Sequence, residues 1–220
     1  MKNIIITGYT SSIAVELTKI IKRNTENVNI INCGRGKESD LKIDFSKINN
    51  TKKFINFLVK KKPSYLFLNH GFLPGKKILD CSEKIINDSC KINLISYLMI
   101  FESLIKIKNL NTVSISSVSG KAGSFDTLYA STKNAVDFTV KVLSKKIDRT
   151  SRINCVSPGI IYDAKMTLQR KNKKILEIKK NQTPTKKFTS SFEVANMVYY
   201  LLFNTGNING ENININGGIC

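Results

Sequence analysis

NIIITGYTSSIAVEL (residues 3–17) runs from an apolar β-branched segment, through one glycine and a polar turn, into a segment with helical spacing of its apolar residues. A buried strand that feeds a helix through a glycine turn is the first half of a β-α-β unit. The pattern repeats along the chain. VNIIN (28–32), SYLFLN (64–69), NTVSIS (111–116), RINCV (152–156) and ENINI (211–215) read as further strands, with a weaker one at LKI (41–43). Helices are predicted near 12–23, 47–62, 83–107, 128–147 and 191–203. The strands are mostly apolar without alternation, which points to a parallel sheet covered on both faces. The expected fold is therefore α/β, a Rossmann-type doubly wound sheet of about seven strands, with ligands at the carboxyl ends of the strands.

The composition allows this. The 220 residues suffice for one domain with a sizeable core, and 41% hydrophobic with 23% charged residues is ordinary for a globular chain. With no linker or repeat to mark a boundary, residues 1–220 are read as one domain. No apolar run is long enough to span a bilayer, and the opening segment is too short for a secretory signal. The five cysteines are odd in number and form no CxxC pair, so they read as free thiols. A soluble cytoplasmic protein is expected, without membrane contact. The single histidine, His70, argues against a histidine-rich metal site, and no metal is expected. The net charge of +19 comes mainly from lysine in a chain also rich in Asn and Ile. That is a chain-wide bias without an aromatic-interleaved basic motif, so nucleic acid is not an expected partner.

The turn after the first strand is a candidate phosphate site, because the unpaired amides and dipole of a helix start attract anions. Gly8, Thr10, Ser11, Ser12 and Ile13 form it. A full dinucleotide fingerprint needs three glycines; here Ser12 and Ala14 stand at the second and third. The Ser12 side chain lies where the backbone would approach a pyrophosphate, although the hydroxyls of Thr10, Ser11 and Ser12 offer donors. A simple polar turn with Ser12 near the helix cap is the other reading. After the second strand, NCGRGK (32–37) lacks the acidic residue that would favour NAD. Arg35 and Lys37 suit the extra phosphate of NADP, with NAD as the alternative. The segment 163–190 is lysine-rich and lies between a strand and the last helix. It is read as a substrate lid, the other reading being a solvated excursion. Its Lys165, Arg170, Lys171, Lys173, Lys174, Lys179 and Lys180 would attract an anion.

In order and spacing these motifs resemble the short-chain dehydrogenase/reductase family over essentially the whole chain. TGYTSSIA (7–14) resembles its glycine-rich loop, SISSVSG (114–120) its catalytic-serine segment, YASTK (129–133) its Tyr-x-x-x-Lys motif and CVSPGII (155–161) its Pro-Gly segment. IDF (43–45), NHG (69–71), KINLIS (91–96) and INGENININGG (208–218) match further family segments. The resemblance implies a catalytic set of Asn93, Ser117, Tyr129 and Lys133. Ser117 is preferred to Ser116 because it begins SVSG, although Ser116 gives the commoner interval to the tyrosine. It also implies adenine contacts from Asp44 and Phe45, and cofactor contacts from Asn69, Gly71, Pro158, Gly159, Ile161, Tyr129 and Lys133. Asn93 would hold a water linking Lys133 to solvent. Where the family places a threonine after Pro-Gly, this chain has Tyr162 and Asp163.

Residues four apart share a helix face, so Tyr129 and Lys133 point the same way. The ammonium is expected to lower the phenol from its usual value near 10, fitting it for proton exchange with a carbonyl or alcohol. Ser117 would bond the substrate oxygen as charge develops. His70 reads as packing or backbone-contacting rather than acid–base, and Cys155 as core. The expected function is NAD(P)H-dependent interconversion of a carbonyl and a secondary alcohol, in feel closest to 3-oxoacyl carrier-protein reductases and sugar reductases. The substrate would be a small-molecule carbonyl or alcohol, and the lysine-rich segment leans toward an anionic one carried on an acidic carrier protein, CoA or a nucleotide. Apolar stripes in 92–107 and 128–143 predict a homodimer or homotetramer. The alternative function is a weak or inactive NADP-binding scaffold.

Overall fold

The computed structural model describes residues 1–169 and 173–219. Arg170, Lys171 and Cys220 lie outside the described residues, as does the Lys173 side chain. The strands are β1 (Lys2–Thr7), β2 (Val28–Gly34), β3 (Leu41–Lys42), β4 (Tyr65–Leu68), β5 (Asn111–Ile115), β6 (Arg152–Pro158) and β7 (Asn212–Ile215). They form one parallel sheet in the order β3-β2-β1-β4-β5-β6-β7. The chain reverses its direction of travel across the sheet between β1 and β4, the place where doubly wound folds open a crevice at the strand ends.

The helices are α1 (Ser12–Asn24), α2 (Ile48–Lys61), α3 (Glu83–Cys90), α4 (Ser96–Leu104), α5 (Ser119–Ala122), α6 (Thr127–Leu143), α7 (Lys165–Leu168), α8 (Lys173–Gln182) and α9 (Ser191–Tyr199). Alternate strand residues feed two cores, because successive side chains of a strand point to opposite faces. Ile4, Ile6 and Phe67 pack under α1 and α9 with Leu17, Ile21, Val194 and Val198. Ile5, Leu66 and Leu68 pack under α2, α4 and α6 with Phe54, Tyr97, Phe101 and Val140. Two buried faces explain why the central strands read as unbroken apolar runs.

The predicted helix at 83–107 is interrupted. A π-helical turn, Lys91–Ile95, joins α3 to α4 and contains Asn93. A second π turn, Tyr200–Asn204, follows α9. Segment 163–190 is closed at its root. The Tyr162 amide donates to the Thr189 carbonyl at 3.0 Å, and the Thr189 amide to the Ile160 carbonyl at 3.1 Å. Its last residues pack on the C-terminal turn, where Gly217 has φ +67° and a Cβ would lie 2.4 Å from the Thr185 hydroxyl. The described part of α8 between these anchors has no buried residue.

Candidate active site

Gly8 makes the turn after β1. Its φ is +61°, and a Cβ there would come within 2.6 Å of the Asn69 carbonyl oxygen, so only glycine fits. Asn69 holds the loop from the end of β4. Its side-chain amide donates to the Gly8 carbonyl at 3.1 Å and to the Ser11 hydroxyl at 2.6 Å. Ser11, not Ser12, is the N-cap of α1, and its Oγ accepts from the Ala14 amide at 3.2 Å. Both bonds use Ser11 Oγ as acceptor, which leaves its proton free to donate. The first-turn amides of Ser12 and Ile13 have no intrahelical acceptor. The Ser12 hydroxyl lies 2.6 Å from that of Ser191 in α9, and Thr10 is exposed. The first-turn amides of α1 are thus left open, with Ser12 turned sideways.

At the neighbouring strand end, Tyr9 lies across β2. A Cβ on Gly34 would sit 3.3 Å from its ring, and one on Gly36 would sit 2.2 Å from its hydroxyl. The Gly-Arg-Gly pattern of residues 34–36 is therefore a slot for this ring, and it was the one available sequence signal for Tyr9. Asp44 stands nearby. Burial pulls its carboxyl up, but bonds from the Ser46 hydroxyl and amide and the charges of Arg35 and Lys47 outweigh this and hold it below its ordinary value. The Phe45 side chain turns into the core and stacks on His70 at 3.8 Å. Any contact with a ligand from that position would come from its backbone.

His70 is fixed at both nitrogens. The Ser96 hydroxyl donates to the Ile92 carbonyl at 2.7 Å, so it accepts from His70 Nε2 at 2.9 Å, and Nδ1 accepts from Thr7 at 2.9 Å. Burial, with the charge of Lys133, lowers its pKa well below the usual value, so the ring is neutral. It acts here as a packing element between the Phe45 and Tyr97 rings.

Tyr129, Ser117 and Lys133 come together at the end of β5 and the start of α6. Ser117 lies near enough to the Tyr129 phenol to favour its ionisation in part, and its Oγ accepts from the Ser119 amide at 3.2 Å. Ser116 turns inward, buried, and donates to the Lys133 carbonyl at 3.1 Å. Asp126 caps α6. One carboxylate oxygen accepts from the Tyr129 amide at 2.9 Å and the other from the Gly75 amide at 2.7 Å. It thereby ties the loop after β4 to the helix that carries the tyrosine, a role for which the only sequence sign was an acidic residue three positions before Tyr129.

Lys133 is almost fully buried. Its Nζ donates to the Ile115 carbonyl at 2.9 Å and stands 5.3 Å from the Tyr97 ring centre and 5.7 Å from that of Tyr129. Burial lowers it to about 8, and the neighbouring Cys155 and Asp137 offset only part of that. The expectation that the ammonium lowers the phenol is corrected here. Burial raises Tyr129 to about 12; Ser117 lowers it only in part and the Asp126 charge raises it further. Desolvation of the phenolate is the largest of these effects.

Asn93 is fully buried, and its side chain brackets Phe72. It accepts from the Phe72 amide at 2.8 Å, donates to the Phe72 carbonyl at 2.6 Å and to the Ser89 hydroxyl at 3.2 Å. That side chain holds the loop beside Lys133, since a Cβ on Gly71 would lie 3.6 Å from Asn93 Oδ1 and 3.8 Å from Lys133 Nζ. Asn93→Ala should strand the amide and carbonyl of Phe72 and cost roughly 2–4 kcal/mol. Chemical denaturation checks this, and an unchanged midpoint would contradict the bracket. Across the cleft, Pro158 and Gly159 are locked between β5 and β7. The Pro158 carbonyl accepts from the Val118 amide at 3.0 Å, and the Gly159 amide donates to the Ile215 carbonyl at 2.8 Å. Ile161 pairs with Thr189 at the root of segment 163–190. Among the described residues no helix is long and apolar enough to cross a membrane.

Comparison with known proteins follows the same lines. A family described as Enoyl-(Acyl carrier protein) reductase matches residues 10–220. Dehydrogenase/reductase SDR family member 6 of Rattus norvegicus is 32% identical over 170 residues, covering 72% of this chain and 69% of that protein. The 3-oxoacyl-(acyl-carrier-protein) reductase FabG of Aquifex aeolicus (strain VF5) is 31% identical over 158 residues, 69% of this chain and 63% of that protein. An actinorhodin polyketide ketoreductase variant with NADPH shares the fold, with a TM-score of 0.81 at 19% identity, covering 99% of this chain and 97% of the other. A parallel sheet with its strand-end glycine turn and this agreement over nearly the whole length lead to one assignment: the chain belongs to the short-chain dehydrogenase/reductase family of oxidoreductases.

Proposed function

We propose that the protein is an NADP(H)-dependent reductase that interconverts a carbonyl and a secondary alcohol, with Tyr129 as proton donor. The observation that carries this reading is the placement of Ser117 and Tyr129 beside a buried Lys133, whose Nζ stands 5.7 Å from the Tyr129 ring centre. The residues present fit a dinucleotide. Gly8 leaves the turn open, the α1 amides and the Ser11 hydroxyl supply donors, and Arg35 supplies a cation at the end of β2. In this reading Ser11, Ser12 and Ile13 hold the diphosphate, with Gly8 and Asn69 shaping the loop. Arg35 would offer its charge to a 2′-phosphate with Asp44 nearby, and Lys133, Gly71, Pro158 and Gly159 would hold the nicotinamide ribose end. The bound nicotinamide supplies the hydride. Ser117 donates to the carbonyl oxygen, and Tyr129, neutral at physiological pH, delivers its proton as the alkoxide forms. Lys133, about half protonated at pH 8, stabilises the phenolate left behind.

The NADPH borne by the polyketide ketoreductase and the acyl-carrier substrate in the FabG name support the cofactor and a β-ketoacyl class of substrate. The exposed Lys165, Lys174, Lys179 and Lys180 of segment 163–190, taken as a lid, would favour an anionic carrier. Most of the apolar stripes on α4 and α6 are core, but Leu98 and Phe138 stay exposed, the latter at 67%, and support a homo-oligomer. Arg35→Ala should weaken NADPH binding about tenfold or more and leave NADH nearly unchanged. Equal losses for both cofactors would remove the assignment of Arg35. The reading as a whole is tested by NADPH consumption with β-ketoacyl thioesters and keto-sugars; cofactor binding without turnover of any substrate would favour the scaffold alternative.

A further inference from the structure

We propose that Asp163 and Ser191 are positioning residues for the phosphate loop, holding the Ser12 side chain out of the diphosphate path; this rests on the cofactor reading above. Ser12 stands where a dinucleotide loop needs glycine so that backbone and phosphate can approach. A hydroxymethyl group there has two places to go: up, in front of the α1 amides, or sideways toward α9. It goes sideways. Ser12 Oγ lies 2.6 Å from Ser191 Oγ, and Ser191 is fully buried. Ser191 Oγ lies 3.0 Å from Asp163 Oδ1, and the Ser191 amide donates to the same oxygen at 2.9 Å.

Ser191 Oγ is placed to donate both to Ser12 Oγ and to Asp163 Oδ1, and its amide also donates to Asp163. The carboxylate only accepts, so it anchors Ser191 at two atoms, and Ser191 in turn holds the Ser12 hydroxyl. Asp163 carries a second burden. A carboxylate close to a diphosphate is repelled by it, and the amide and hydroxyl at the first turn of α9 draw this one toward that helix. Asp163 is also the first residue of segment 163–190, so the chain of bonds joins the phosphate loop to the root of that segment. A departure from the glycine pattern and a carboxylate where the family places threonine thus compensate each other.

The test is a double-mutant cycle read by NADPH binding in fluorescence titration, with thermal melting as the check on folding. Asp163→Ala in the otherwise native chain frees Ser12 and should weaken binding about tenfold. In the Ser12→Gly background there is no side chain to free, and the same substitution should change binding by less than about threefold. Asp163→Asn keeps an acceptor oxygen and should keep most of the affinity. A loss as large in the Ser12→Gly background would show that Asp163 does not act through Ser12. Unchanged or tighter binding in Asp163→Ala would overturn the proposal as well. Failure of the native protein to bind either nicotinamide cofactor is a different result, which removes the cofactor reading and this inference with it.

Discussion

Tyr129→Phe should lower the turnover of a carbonyl substrate by roughly 10²–10⁴-fold, the range for loss of a positioned general acid. Its effect on stability should be about 1 kcal/mol or less. The ring keeps its place at the start of α6, and the hydroxyl loses at most its interaction with Ser117. Steady-state kinetics with melting curves check both. Cofactor affinity is the informative control, because the phenol's proposed task is with the substrate oxygen. If Tyr129→Phe kept a tenth or more of the native turnover, another group would be supplying the proton.

Lys133 has the second large effect, and it appears in stability as well as in rate. Its value falls from 10.5 to about 8 in the folded protein because the ammonium is buried. The unfolded chain therefore binds more protons between pH 8 and 10.5, and the lysine's contribution to stability rises with pH across that window. Below pH 8 the folded protein carries the full cost of the buried cation, roughly 3 kcal/mol from the difference in pKa. Lys133→Met has no such gain. Two buried thiols act in the opposite sense. Burial raises both Cys33 and Cys155, so the unfolded chain ionises them first and stability falls above pH 9. Only the difference between native protein and variant isolates the lysine. That difference should grow by roughly 3 kcal/mol in favour of the native protein from pH 7.5 to 10.5, or about 6–12 °C in melting temperature for a chain of this size. A flat difference would mean that Lys133 is solvated. Turnover in Lys133→Met should also fall by a hundredfold or so, with the loss of the charge opposite the phenolate. On this proposal the stability gain and the activity loss come from the same burial, a destabilising charge held at the proposed site of proton transfer.

All seven strands were legible in the sequence because β-branched and apolar runs between polar turns have few other uses in a chain of alternating elements. Even the two-residue β3 lies inside its expected range. The breaks in the helices were not legible. The π turn at Asn93 comes from a shift in backbone pairing that leaves the apolar spacing of 83–107 intact. The site divides in a similar way. A phenol and an amine four residues apart on a helix must share a face, and Gly8 has to be glycine. By contrast, Ser12 finds its partner 179 residues away, and Tyr9 needs two glycines at and just past the end of another strand. The ionisation of Tyr129 was misjudged because a local pair predicts attraction, whereas burial is set by the whole fold and here dominates.

The most direct test of the account is the ionisation of Tyr129 itself, followed as the ultraviolet difference between native protein and Tyr129→Phe through a pH titration, with and without oxidised cofactor. Without cofactor the phenol should titrate near 12. With it, the added positive charge should join Lys133 against the cost of burial and bring the midpoint to about 10 or below. A midpoint that stays put when cofactor binds would contradict the claim that Tyr129 is the proton donor beside the nicotinamide.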